Sequence, residues 1–160
     1  MDAILETAEG PVGLAWTGRG FRALAFLDGA KATGLSAAAP KWVHQGAARI
    51  LAFLEGQGAP PEHLPVDLEG LSPFRREVAE LLRTTSPGDR LSYGEIAFRL
   101  GRPGAARAVG QAVKANALLL LIPCHRVVSA TGEGGWSAFG SLERLRRLRD
   151  LDRLPGDTGR

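Results

Sequence analysis

Apolar residues in this chain alternate with polar ones only near the N-terminus, whereas beyond residue 40 they recur at helical spacing, which restricts the fold to a small sheet followed by helices. The runs Ala3-Ile4-Leu5, Val12-Gly13-Leu14-Ala15-Trp16 and Phe21-Arg22-Ala23-Leu24-Ala25-Phe26 read as short antiparallel strands. Gly10-Pro11 and Gly18-Arg19-Gly20 supply the turns between them, since glycine allows positive φ and proline presets the bend. Residues 41–57 then place Val43, Ala47, Ile50, Leu51 and Leu54 on one helical face, with Gly56 and Gly58 closing a helix that covers the sheet. Gly58-Ala59-Pro60-Pro61 begins an irregular connection, so the chain divides near Gly70 into an α/β unit (1–70) and a second unit (71–160).

In the second unit Ser72 is the expected N-cap of a helix with Pro73 at its first position and Phe74, Val78, Leu81 and Leu82 on its inner face. Ser92-Tyr93-Gly94-Glu95 has the capping-box form and predicts a short helix over 93–100. Gly101-Arg102-Pro103-Gly104 stops it and starts another, which is the spacing of a helix-turn-helix. The pattern of the second helix predicts an apolar stripe of Ala108, Val109, Ala112 and Val113, with Arg107, Gln111 and Lys114 on the opposite side. The small residues Ala105, Ala106 and Gly110 keep that helix slim enough to approach a nucleic-acid groove. Three polar residues alone also describe an ordinary solvated face.

Charge is distributed unevenly. Residues 1–70 hold 5 basic against 8 acidic side chains, residues 71–130 hold 9 against 4, and residues 131–160 hold 6 against 5. A basic centre beside an acidic N-terminal third suits contact with a polyanion on one face. With 44% hydrophobic residues the chain can bury a core, and its single cysteine excludes an internal disulfide or a cysteine-built zinc site. The longest apolar stretch, 117–122, is too short to span a bilayer, and no membrane role is expected; the composition points to a cytoplasmic protein.

That cysteine, Cys124, lies in Ile122-Pro123-Cys124-His125-Arg126-Val127, directly after an apolar run that reads as a buried support. A lone cysteine can be an inert core residue. The adjacent His125 offers another reading, because an imidazole takes a thiol proton when the backbone brings the two together through a water; sequence adjacency does not guarantee this, and His125 can equally be structural.

Pro123-Cys124-His125-Arg126-Val127 resembles the active-site signature of the O6-alkylguanine-DNA alkyltransferases. Leu91-Ser92-Tyr93-Gly94-Glu95-Ile96-Ala97, Ala105-Ala106-Arg107-Ala108-Val109-Gly110 and Asn116 occur in that family's order and spacing before the cysteine. The resemblance implies an α+β fold: a ribonuclease H-like N-terminal sheet with a helix, and a C-terminal winged helix-turn-helix domain carrying the cysteine. It implies that Cys124 attacks the alkyl carbon as thiolate, that His125 activates it through a water, and that Tyr93 protonates the departing guanine. Asn116 would brace the turn before the cysteine. Arg107 would fill the stack left by the extruded nucleotide, because a base inside a duplex cannot present its exocyclic oxygen to a buried thiol. Ala106, Gly110, Gln111, Lys114 and Ser92 would meet the DNA, and backbone groups at Val127 and near Ser137 would read the flipped base. The implied partner is double-stranded DNA containing O6-alkylguanine, bound by a monomer with no cofactor and no metal.

After Ser129 the chain departs from the family pattern, with Trp136 where tyrosine is usual and Phe139 between small residues, so these two either wall the pocket or pack on the last helix. In that helix Leu142, Leu145 and Leu148 form the expected buried stripe, while Arg144, Arg146, Arg147 and Arg149 read as solvated. Alignment puts Asp152 in the place of the acid that supports the histidine, with Asp150 as a neighbouring candidate. Two other classes of function compete: a lesion sensor of the alkyltransferase-like type, which lacks a reactive cysteine, and a winged-helix regulator whose cysteine is incidental.

Overall fold

The computed structural model describes residues 1–133 and 136–154. Three strands, β1 (Ala3–Leu5), β2 (Val12–Thr17) and β3 (Gly20–Phe26), form an antiparallel sheet, as the alternating pattern predicts, and β2 lies in its middle. Leu14 stands opposite Leu24 and Val12 opposite Phe26, and the register shifts between Ala15 and Trp16.

Helix α1 (Lys41–Leu54) covers this sheet. It can come close because Gly46 lies over Phe21; a Cβ there would stand 2.7 Å from the Phe21 ring. Trp42 meets the same ring edge to face at 5.2 Å. The helix ends three residues before the expected Gln57, in a Schellman turn: Gly56, at φ +75°, donates to the Phe53 carbonyl and Gln57 donates to that of Ala52. Its buried face includes Phe53 where the pattern favours Leu51, which is half-buried. The stripe is wider than one sheet requires because the last helix packs on its C-terminal end, close to Gly56 through Leu151.

Helix α2 (Pro73–Arg83) is capped by Ser72, whose hydroxyl accepts from the Arg75 N–H. Strand β4 (Leu91–Ser92) leads into α3 (Tyr93–Arg99), where both halves of the Ser92–Glu95 capping box are made. After α4 (Ala106–Lys114) a loop and one turn of 3-10 helix (Cys124–Arg126) run into β5 (Val127–Val128), which pairs in parallel with β4. A short turn (Trp136–Phe139) precedes α5 (Leu142–Arg153).

The chain is thus mixed α+β, and one apolar core runs through both halves, from Leu14 and Ile50 to Val109 and Leu148. The free edge of β3 is closed by the loop before Cys124: Leu24 donates to the Ala117 carbonyl at 2.8 Å and accepts from the Leu119 N–H at 3.0 Å. Among the described residues no helix is long and apolar enough to cross a membrane.

Candidate active site

Helix α4 presents two unlike sides. Val109, Ala112 and Val113 are buried, whereas Arg107, Gln111 and Lys114 are exposed, and Arg107 has no ion-pair or hydrogen-bond partner among the described residues. Ala108, expected in the apolar stripe, is exposed. Helix α4 is held against the body by a narrow strip that excludes it, and one methyl group carries too little apolar area to impose its own burial. Ala106 and Gly110 are half-buried, and a Cβ at Gly110 would reach only Tyr93, at 4.0 Å.

One residue beyond the Ala115 cap of α4, Asn116 ties the following loop together. Its carbonyl oxygen accepts from the Leu118 N–H at 2.9 Å, and its amide lies 3.2 Å from the Ile122 carbonyl and 3.1 Å from Cys124 Sγ. Residues 118–122 are all buried, but they coil instead of extending. Leu120 adopts φ +69°, alone among the described non-glycine residues, and the Leu121 N–H reaches the Leu119 carbonyl at 2.8 Å. Pro123, at φ −75° and ψ 62°, forms an inverse γ-turn in which Cys124 N–H donates to the Ile122 carbonyl at 2.7 Å. This sequence of turns delivers the thiol to the start of the 3-10 turn, 4% exposed. Burial pushes its pKa up to about 11 against the pull of the Asn116 amide, so at neutral pH it is a thiol.

His125 and Asp152 are both fully buried, with Nε2 3.2 Å from Oδ1. The ring N–H is poorly aligned with the carboxylate, so the contact is electrostatic more than a linear hydrogen bond, and Nδ1 has no partner among the described residues. Burial, with help from Arg126 and Arg90, holds His125 below its ordinary pKa against the opposing pull of Asp152. Burial alone would raise Asp152; the contacts from His125 and Arg126, and the Gly88 N–H at 2.8 Å, outweigh it and hold the carboxyl far below its usual range.

Among the described residues Arg126 is the largest fully buried side chain, and it organises this centre. It meets Asp152 through Nε and Nη2, the shorter contact being 2.7 Å, and Thr85 through Nη1 at 3.0 Å to both the carbonyl and the hydroxyl. Its remaining hydrogen bond goes to Glu62 Oε1 at 3.0 Å. Arg149, expected in solvent, is instead 8% exposed and donates to the carbonyls of His125 at 2.8 Å and Val127 at 3.0 Å. The helical pattern hides this role because the carbonyls that recruit Arg149 lie outside its own helix, in the 3-10 turn at His125 and at the start of β5. Nothing in the sequence singled out Glu62, Thr85 or Gly88 either; a carboxylate surrounded by prolines and apolar residues was the one available signal.

Other expected site residues lie around this centre. The parallel β4–β5 pair brings Ser92 opposite Val128, so half-buried Tyr93 begins α3 beside the segment that follows the thiol. The Ser92 hydroxyl is engaged by the Glu95 N–H. The Val127 N–H donates to the Cys124 carbonyl. Ser137 is exposed, while Phe139 is 1% exposed and packs in the core. The Trp136 side chain and Gly135 lie outside the described residues. A cavity of about 390 Å³ opens on the other side of Asn116, between the sheet and α2, and includes no part of Cys124 or His125.

Residues 73–153 match the family described as 6-O-methylguanine DNA methyltransferase, DNA binding domain. A methylated-DNA–protein-cysteine methyltransferase of Mycolicibacterium paratuberculosis is 45% identical over 91 residues, which are 56% of this chain and 53% of that protein. One from Salmonella typhimurium is 51% identical over 63 residues, 39% of this chain and 37% of its own length. The matched stretch thus spans about half or less of these curated relatives. The crystal structure of Mycobacterium tuberculosis OGT in complex with DNA superposes with a TM-score of 0.74 at 32% identity, covering 94% of this chain and 91% of that one.

Proposed function

Because the chain belongs to the 6-O-methylguanine DNA methyltransferase family, we propose that it repairs DNA by moving an alkyl group from the O6 of guanine to its own Cys124, once per molecule. The observation that carries this reading is the buried Cys124 thiol held at 3.1 Å by Asn116 and followed directly by the His125–Asp152 pair. An inert core cysteine needs neither.

In this reaction the thiol proton passes through a water to His125 Nδ1, the buried ring atom free to accept it, while Asp152 stabilises the imidazolium that forms. Sulfur attacks the alkyl carbon, the carbon–O6 bond breaks with its electron pair going to guanine, and Tyr93 supplies the proton that lets neutral guanine depart. Tyr93 recovers a proton from the imidazolium, so one proton is lost by sulfur and one gained by the base. The thioether product has no good leaving group, so the molecule is spent. Every acid, base and nucleophile required is a side chain of the chain itself.

The substrate is double-stranded DNA, met by α3 and α4 as a winged helix-turn-helix in the second unit (71–160), with 1–70 a ribonuclease H-like support and the protein acting as a monomer. Arg107, unpartnered among the described residues, is free to enter the base stack, Gln111 and Lys114 reach phosphates from the same exposed side, and Ala106 and Gly110 allow close approach. Ser92 contributes through its hydroxyl proton, since the Glu95 N–H takes only the hydroxyl oxygen as acceptor while the Ser92 backbone N–H is held by the Glu95 carboxylate. Backbone groups at Val127 and Ser137, with Trp136 nearby, read the flipped base. A non-reactive lesion sensor has no use for a thiol so held.

Incubation with a duplex containing O6-methylguanine, followed by intact mass and peptide mapping, tests the proposal. One methyl group on Cys124 per chain is expected. Tight lesion binding without an adduct would make the protein a sensor, and indifference to the lesion a regulator.

A further inference from the structure

Two carboxylates share one buried guanidinium beside His125. Asp152 gives both oxygens to Arg126, and Glu62, 4% exposed, reaches in from the irregular segment after α1 to give Oε1 at 3.0 Å. The carbonyls of Glu62 itself and Leu64 accept from Arg83, at 2.6 Å and 2.8 Å to Nη2, which pins that segment in place. The second oxygen of Glu62 is buried with no partner among the described residues. Satisfying Arg126 needs only an acceptor, and a neutral amide would serve; a buried carboxylate with one idle oxygen is a costly alternative.

The charges around the imidazole explain the cost. His125 is faced by Asp152 of α5, by Arg126 of its own turn, by Arg90, which stands 3.9 Å from Asp152, by Arg149 on its carbonyl, and by the Cys124 thiol. Arg126 and Arg90 oppose protonation of the ring, and Asp152 favours it. Glu62 supplies a second negative charge, so that the Glu62–Arg126–Asp152 group taken by itself carries one net negative charge to set against the proton on His125, while Arg83, bonded to the Glu62 carbonyl, also faces that carboxylate and Arg90 and Arg149 stay constant.

We infer that Glu62 is a positioning residue for alkyl transfer: by neutralising Arg126 it leaves the charge of Asp152 available to the imidazolium formed when Cys124 loses its proton. The inference rests on the reading of Cys124 as acceptor and His125 as its base. It ties the rate of the chemistry to a residue about 60 positions before the nucleophile.

The test is the pH–rate profile of single-turnover transfer from an O6-methylguanine duplex to the full chain, from about pH 5 to 9. In E62Q the plateau should fall about tenfold and the acid-side midpoint should move down by about one pH unit, because the ring loses a stabilising charge. In E62Q/R126M, which removes both charges and restores one net negative charge beside His125, the midpoint should return to the wild-type position or above it. An E62Q midpoint that coincides with the wild type, whatever happens to melting temperature, overturns the inference. So does a double variant with a midpoint below the wild type, and that arm decides alone if E62Q does not fold. Absence of any Cys124 adduct in the wild type overturns instead the function on which the inference rests.

Discussion

The side-chain amide of Asn116 lies 3.1 Å from Cys124 Sγ and 3.2 Å from the Ile122 carbonyl, so one group holds both the thiol and the turn that presents it. Asn116→Ala should therefore slow methyl transfer by about 10- to 100-fold, the equivalent of about 1–3 kcal/mol for a lost buried hydrogen bond. Single-turnover quench-flow with a methylated duplex checks this. A rate within twofold of the wild type would remove Asn116 from the machinery.

A thiol with a pKa pushed up to about 11 is a poor reagent toward anything it meets without help. Iodoacetamide should label native Cys124 slowly at neutral pH, and the rate should climb about tenfold per pH unit until near that value. Protein unfolded in urea should label much faster at pH 7. Rapid labelling of the native chain at pH 7 would mean that the sulfur is ionised at rest.

Stability should decline in acid for two reasons of the same sign. Asp152 sits below its ordinary 3.8 when folded, so its contribution is complete above that pH and is lost as the carboxyl is protonated. His125 sits below its ordinary 6.5, so the unfolded chain takes up more protons as pH falls through that value, again favouring unfolding. Calorimetry from pH 7 down to about 2 should show a falling melting temperature, and in Asp152→Asn the part of that fall below about pH 4 should flatten. The same variant should lose about 3–5 kcal/mol at pH 7, because Arg126 keeps only Glu62 as a charged partner.

Arg107→Ala should slow repair of duplex DNA far more than transfer from the free O6-methylguanine base, since holding a nucleotide out of the stack matters only when there is a stack. Equal losses on both substrates would assign Arg107 to chemistry or folding.

Arg149→Met should lower the melting temperature and slow transfer, because the carbonyls of His125 and Val127 lose their donor while the apolar stem is kept. Unchanged melting would show that water replaces the guanidinium at no cost.

Local patterns were legible in the sequence wherever one element determines its own form. The Ser92–Glu95 box, the Ser72 cap and the three N-terminal strands follow from side chains that act within a few residues or across a hairpin. The Cys124–His125 adjacency was equally plain. What could not be read is the arginine chemistry beneath it: Arg126 joins Thr85, Asp152 and Glu62 from three distant parts of the chain, and Arg149 turns inward toward carbonyls outside its own helix. Helical periodicity marks apolar faces, and these guanidiniums are buried by partners that carry no period. Ala108 misled for the opposite reason, since it fits the apolar pattern without being needed in it.

Cys124 is the sole sulfhydryl in 160 residues, and the fold leaves little of it open to solvent. Under the proposed reaction each molecule stores its own history as a single bit, because after denaturation a chain that still titrates with a thiol reagent has not yet reacted. The fraction of reactive sulfur in a purified population would then be a running tally of lesions met and of capacity left, readable without any substrate.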